Sequence, residues 1–511
     1  MRTVTINKFS GGIVNDPRNQ SEGVCRMCTS FDALLNPNKL TPYRSSESGD
    51  SSASTRQIKN FAIAKRNSTY NLYGLGVVSG TTKAAIFYKT LTTGATLDLS
   101  DATWNDPSVA SGTNGVNTNL FVFYERTGRL YTAQNSNAII SFNVSAETVN
   151  ESEYSVSYTN IAQGLVHTKD NILYVPADNT ILVNNNGSWS VGLTIPNNLV
   201  INSICEYGDF VAVGAAPLSG NANSVVYLWD RNSTDTLPSQ NIDWQEGRLL
   251  ILEQLQGSLV GISITGRDVS VATDVTRLDN RIIFRAYTAY GAEKFAEIVS
   301  SRTGTTSLLI TKQKLNNRIY FMMQAYVNGT QRDGVWSVGK LIDGSYSILH
   351  ERKPNNETSL TSGVLYGFFY AGDYLFQTFS TSSTITTTKT NDQAVYAEIA
   401  QYETTINPNM GEQDRTRKKQ LTTVSLAYEK LPADSSVKLE YRVDSGSFTE
   451  IFTETTTNAM ATEQQVDING DQFTSGREYE FRISSGKTGG TGQGEITELK
   501  YQYEILDTLI R

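Results

Sequence analysis

The chain has 511 residues, of which 39% are hydrophobic and only 18% charged, and its net charge is −8. That length allows two or more domains with ample core, while nothing in the acidic total suggests a nucleic-acid-binding surface. Three cysteines argue against a disulfide-stapled fold, and no apolar run approaches the ~18 residues needed to span a bilayer.

The N-terminus, MRTVTINKFSGG, lacks the apolar core of a signal peptide. The expectation is synthesis in a cytoplasm and delivery by assembly. FSGGIVNDPR (Phe9–Arg18) places Gly11 and Gly12 where backbone freedom is needed. Asp16-Pro17 then reads as a turn that pushes the chain into an extended form. Cys25 and Cys28 form a CxxC pair, either redox-active or half of a zinc site. Zinc would need a second ligand pair, and Cys205, His167 and His350 stand isolated. The redox alternative would need a thioredoxin-like βαβ context. Packing inside a core is the reading adopted, with no cofactor and no metal. FDALLNPNKLTPYR (Phe31–Arg44) reads as a strand, a polar turn and an extended exit. SSESGDSSAST (Ser45–Thr55) reads as a linker.

A strand–turn–strand pattern then recurs. It is clearest in NILYVPADNTILVNNNGSWSV (Asn171–Val191), where polar and Gly-bearing turns separate β-branched runs. Looser versions occur at Tyr70–Thr90, Asn119–Val144, Tyr207–Asp230, Gln256–Gly266, Asn317–Gly339 and Leu365–Phe379. Their starts lie roughly 40 to 60 residues apart, the period of four-stranded propeller blades. The fold class expected is all-β: a β-propeller of about six or seven blades with an extended N-terminal arm and a C-terminal β-sandwich. Thr90–Gly115 reads as a protruding loop, Gly247–Gly257 as a strand rather than a helix, and Ser380–Gln393 as β-prone.

Asn407–Gln420 reads as a solvated hinge carrying the basic run Arg415–Lys419. Beyond it, Val437, Leu439, Tyr441 and Val443 alternate strictly, Asp444–Ser447 makes a hairpin turn, and Tyr479, Phe481 and Ile483 share one face. Together with Ile496–Leu506 this gives about seven strands in roughly 100 residues, a β-sandwich. The expected domains are 1–55 (arm and linker), 56–405 (propeller), 406–420 (hinge) and 421–511 (sandwich).

An enzymatic propeller is weighed against this. NNNGSWS (Asn184–Ser190) lacks the aspartate of a sialidase-type box and has the wrong Gly-to-Trp spacing. Glycosidase chemistry needs two carboxyl groups facing each other. Asp178, Asp209, Asp230, Asp243 and Glu246 are all candidates, but nothing in the sequence pairs any two. The expectation is a protein without catalytic residues.

The arm, with Phe9-Ser10-Gly11-Gly12, Asp16-Pro17-Arg18 and the closing Arg44, resembles that of propeller-type virion proteins in tailed bacteriophages. The C-terminal segment is similar to terminal domains of phage tail and baseplate proteins through KKQL (Lys418–Leu421), Leu431-Pro432, KLEYR (Lys438–Arg442) and LKYQYEIL (Leu499–Leu506). The resemblance implies a non-enzymatic tail hub, nozzle or adaptor subunit in the virion, assembling as a homo-oligomeric ring with other tail proteins. Genome DNA would pass without specific binding. Assembly contacts are expected at Phe9, Gly11, Gly12, Asp16, Pro17, Arg18, Arg415, Arg417, Lys418 and Lys419. The alternative is a receptor-binding adhesin that holds host-surface glycan through propeller loops or the sandwich.

Overall fold

The computed structural model describes residues 2–13, 24–36, 38–43, 46–50, 56–78, 84–91, 105–109, 116–134, 138–218, 223–232, 240–265, 280–300, 306–327, 330–341, 343–354, 363–371, 374–380, 385–390, 400–405, 417–466, 473–487 and 492–506. Within them the protein is all-β, and its one helical piece is the 3-10 turn Glu125–Thr127. No helix among the described residues is long and apolar enough to cross a membrane. The chain divides into two units. One is Ser48–Asp333 with Leu360–Lys389, and the other is Met1–Glu47 with Gly334–Ser359 and Thr390–Arg511. This division departs from the sequence boundaries at 55 and 405, because Gly334–Ser359 and the chain from Thr390 group with the first 47 residues.

In the larger unit, antiparallel strands form sheets in chain order. The first holds Arg56–Arg66, Thr69–Val78, Ala84–Thr90 and Asn105–Val109, the last lying inside the stretch read as a loop. The second runs through Val116–Tyr124, Arg129–Gln134, Ala138–Asn143 and Thr148–Ser155. The third, from the most regular stretch of the sequence, is Leu165–Val166, Leu173–Ala177, Thr180–Asn185 and Ser188–Thr194. The fourth comprises Leu199–Tyr207, Phe210–Pro217, Val225–Trp229 and Asn241–Asp243. The fifth is Arg248–Leu255, Ser258–Thr265, Asn280–Thr288 and Gly291–Ser300. Gly247–Gly257 is thus a strand, as its neighbours argue.

A sixth group begins with the hairpin Ser307–Leu315/Arg318–Val327. The seventh has Val364–Ala371, Tyr374–Ser380 and Ile385–Thr390, with Ser46–Asp50 as its fourth strand. The sequence reads that last segment as a linker because Ser, Gly and acidic residues have little strand preference; an open row of backbone partners overrides propensity.

Each sheet buries one face on the next, since a small sheet with two apolar faces cannot stand alone. Tyr73, Leu75, Phe121 and Phe142 join the first sheet to the second. Tyr131, Val175 and Leu182 join the second to the third. Tyr174, Ile204 and Trp229 bridge the third and fourth, and Trp244, Leu252 and Leu259 the fourth and fifth. Phe284 meets Phe321 at 6.2 Å, and Tyr320 meets Tyr370 at 4.5 Å. Phe376 of the seventh sheet then packs on Phe61 of the first at 5.6 Å, within a cluster including Ile58 and Phe87.

Trp244 shows how tight these seams are. A Cβ on Gly261 would lie 2.6 Å from the fully buried indole of Trp244. Gly261→Ala should destabilise the protein by about 1–3 kcal/mol through overpacking, measured as a lowered urea midpoint with unchanged slope. Wild-type stability would show that the seam yields.

In the smaller unit two sheets lie face to face. One has the order Arg2–Ile6, Ile496–Ile505, Lys419–Tyr428, Ala461–Val466. The other contains Tyr346–Arg352, Met27–Thr29, Ala400–Thr405, Tyr479–Lys487, Ser435–Val443 and Thr449–Glu454. Phe481 of the second sheet contacts Tyr501 of the first, with centroids 4.9 Å apart. The alternation puts Val437, Leu439 and Tyr441 inside. Asp444 and Ser445 take left-handed φ values of 48° and 62° at the expected hairpin turn.

Candidate functional site

The larger unit holds a cavity of about 290 Å³. It is lined from the first, second, sixth and seventh sheets, by Phe61, Ile63, Phe121, Phe123, Lys312 and Phe369 among others, and by Gln163 from the segment before the third. Asn60, Thr311 and Gln313 complete its polar lining, which carries no carboxylate among the described residues.

Lys312 dominates this region. Its strand, SLLITKQKL, contributes Lys312 as a buried residue. The ammonium donates to the carbonyl of Ile204 at 2.9 Å and to that of Leu252, and pairs with Glu253 at 2.9 Å. Gln163 clamps the Lys312 backbone from both ends, accepting its N–H at 2.9 Å and donating to its carbonyl at 3.0 Å. Gln313 repeats the clamp on Tyr370, at 2.7 and 2.9 Å. Groups from the segment before the third sheet and from the fourth and fifth sheets therefore meet around one lysine of the sixth, and the seventh is tied to its neighbour Gln313. A buried ammonium is tolerable only with such a set of acceptors.

The five acidic residues considered as catalytic candidates have local structural duties. Asp178 accepts from the backbone N–H of Thr159 and Asn160. Asp209 lies exposed against Lys169, whose hydrogen bond and charge hold its carboxyl below the usual range. Asp230 caps Asn232, Asp243 caps Gln245, and Glu246 pairs with Arg281 at 3.4 Å. The Asn184–Gly187 segment is a turn in which Asn184 accepts the Gly187 N–H at 2.7 Å, and Trp189 stacks on Tyr154.

The expected assembly residues fall in the smaller unit. Phe9 is fully buried, edge-on to Tyr402 at 5.4 Å. Gly11 is half-buried in a turn. Gly12 has φ of 83°, and a Cβ there would sit 2.7 Å from the Ile348 nitrogen. Asp16, Pro17, Arg18 and Arg415 lie outside the described residues. Arg417 and Lys418 are exposed. Lys419 is not part of a solvated hinge: it is buried, donating to the carbonyls of Arg417 at 3.3 Å and Arg477 at 2.7 Å. Phe9, Gly12 and Lys419 thus serve their own chain. Cys25 and Cys28 are both buried, their thiols directed at the carbonyls of Gly12 and Phe31. Its hydrogen-bonding interaction with Cys25, and then burial, push the Cys28 thiol well above its ordinary range. Among the described residues, no cluster of three or more His, Cys, Asp or Glu is arranged to hold a metal.

The outward face of the second sheet carries an ion network. Glu480 receives Arg26 at 2.7 Å and Arg442 at 2.6 Å. Glu440 receives Arg482 at 2.6 Å and Lys438 at 2.9 Å. Phe448 lies under both Arg442 and Arg482. Burial alone would raise the Glu440 carboxyl, but Arg482 and Lys438 outweigh it and hold it below the usual value. A depressed carboxyl contributes stability above its unfolded value, ~4.3, and loses it as pH falls through the folded value. The denaturation midpoint of this unit should therefore fall on acidification from about pH 5 to 3, and Glu440→Gln should flatten that slope. Equal slopes in the two proteins would remove Glu440 from the account.

No protein-family model matches the chain, and no curated protein matches it. Among solved structures it is similar to one described as a glycoside hydrolase, with 10% identity and a TM-score of 0.30, covering 87% of this chain and 97% of that one. A second is an exo-β-1,3-galactanase from Phanerochaete chrysosporium, with 11% identity, a TM-score of 0.27 and coverage of 89% and 99%. A third is a chain of a mitotic checkpoint complex, with 9% identity, a TM-score of 0.39 and coverage of 69% and 96%. At such TM-scores these likenesses carry no argument about this chain's chemistry.

Proposed function

We propose that the chain is a non-enzymatic structural component of a tailed-bacteriophage virion, a tail hub, nozzle or adaptor subunit that assembles as a ring. In this reading the larger unit is a seven-bladed β-propeller whose last blade is completed by Ser46–Asp50, and the smaller unit is a β-sandwich. The observation that supports a structural role is that Lys312, Gln163 and Gln313 are engaged in internal bonds and the cavity they line carries no carboxylate among the described residues, whereas glycosidase chemistry needs two facing carboxyl groups. The N-terminal and C-terminal sequence resemblances supply the phage context. A cavity of about 290 Å³, bridged by hydrogen bonds, is far too small for nucleic acid. Genome DNA would pass through the opening of a ring of several copies. The partners are other tail or adaptor proteins.

One feature favours the adhesin reading as the alternative. A groove of about 400 Å³ between two turn tips is lined by Lys314 and by Gln254, Gln256, Asn316 and Asn317, whose amides suit sugar hydroxyls. Quantitative peptide mass spectrometry of purified virions tests the main proposal. It should find the chain in a fixed multiple of the other tail proteins, with the purified protein releasing no sugar from bacterial polysaccharides. Absence from particles, or sugar release abolished by a carboxylate substitution, would overturn it. Glycan binding lost in Asn316→Ala would favour the adhesin.

A further inference from the structure

The strand Ser188–Thr194 ends the third sheet, and among the described residues it pairs only with Thr180–Asn185. Its other edge offers backbone N–H and C=O groups. Natural edges are usually blunted by charge, proline or shortness, and the other outer strands of the larger unit follow that rule. Asn105–Val109 carries Asp106 and Pro107, Thr148–Ser155 carries Glu151 and Glu153, and Asn241–Asp243 has only three residues. Gly291–Ser300 carries Glu293, Lys294 and Glu297, and Ser46–Asp50 carries Glu47 and Asp50. Ser188–Thr194 has neither charge nor proline, and every residue from Asn179 to Cys205 is uncharged. Val191 is 49% exposed on it.

We propose that this edge is a homotypic interface: the same strand of a second copy adds to it antiparallel about a two-fold axis. A chain of net charge −8 meets its own copy most cheaply where neither surface is charged. Self-pairing at Thr148–Ser155 would instead set glutamates against glutamates. A two-fold axis perpendicular to the sheet requires a residue to face its own mate. Centred on Ser190, the pairing sets Trp189 opposite Val191 twice, an aromatic–β-branched pair of the kind that stabilises sheets. The irregularity at Gly192, where the register shifts, limits straight pairing to the segment before it. The interface is independent of the tail reading and would stand if that reading fell.

Full-length protein should run as a dimer by light scattering. Ser190→Lys, at an exposed position, places two ammonium groups opposite each other and should weaken dimerisation at least about tenfold with an unchanged far-ultraviolet circular dichroism spectrum. Cys25, Cys28 and Cys205 are buried, so an introduced cysteine is the accessible thiol. Ser190→Cys should form a disulfide-linked dimer under air oxidation, and Ser152→Cys on the second sheet's outer strand should not. A monomeric wild type at about 100 μM, equal dimerisation of Ser190→Lys, or equal cross-linking of the two cysteine variants would each overturn the proposal.

Discussion

Replacing Lys312 with methionine should lower the unfolding free energy by about 3–5 kcal/mol, because removing one partner leaves a buried ion uncompensated. The Glu253 side chain is only 13% exposed and the Lys312 side chain 7%. The carbonyls of Ile204 and Leu252 lose their donor in the same step. Lys314 is the control: it reaches the same carboxylate at 3.6 Å but is 46% exposed, so Lys314→Met should cost no more than about 1 kcal/mol. The Lys312→Met/Glu253→Gln double variant should recover part of the loss, since no buried charge is then stranded. Urea denaturation of the four proteins decides this. A Lys312→Met effect no larger than that of Lys314→Met would mean the buried lysine is incidental.

Deleting residues 1–13 should cost the smaller unit more than any single substitution in it. Arg2–Ile6 pairs residue for residue with Leu499–Tyr503, and Phe9 and Ile13 are buried. Phe9→Ala alone should cost about 3–5 kcal/mol through the cavity it leaves against Tyr402. Without the first strand, the outer edge of Ile496–Ile505 loses its row of bonds, so its amides should exchange markedly faster. Wild-type protection across Ile496–Ile505 in the deleted protein would show that the N-terminal strand is dispensable. The sequence reading treats this arm as an extended segment whose Phe9, Gly11 and Gly12 make assembly contacts. Instead, in the described residues it completes a sheet made by the last strand of its own chain.

The parts of this fold that could be read in advance are those set by local alternation. Val437, Leu439 and Tyr441 announce their strand because period two and burial coincide, and Asn171–Val191 announces two hairpins because turn residues fall where backbone direction must reverse. What escapes is settled by partners distant in sequence. Ser46–Asp50 has a linker's composition and becomes a strand only because the seventh sheet offers an edge. Lys419 looks like one member of a solvated basic run until the Arg477 carbonyl, 58 residues on, is seen to receive it. Around the cavity, Gln163 and Lys312 are 149 residues apart and each alone is an ordinary polar residue. The faint signal was a lysine following the apolar run Leu308–Ile310, in a strand whose buried residues are Thr311 and Lys312.

The claim that the chain is a tail-ring subunit is tested most directly by imaging. Cryo-electron microscopy of intact virions carrying the chain fused to a visible tag should show several copies arranged symmetrically around the tail axis, the genome path running between subunits. Tagged particles with no density in the tail would contradict the account, as would a path for DNA through the bridged cavity of a single subunit.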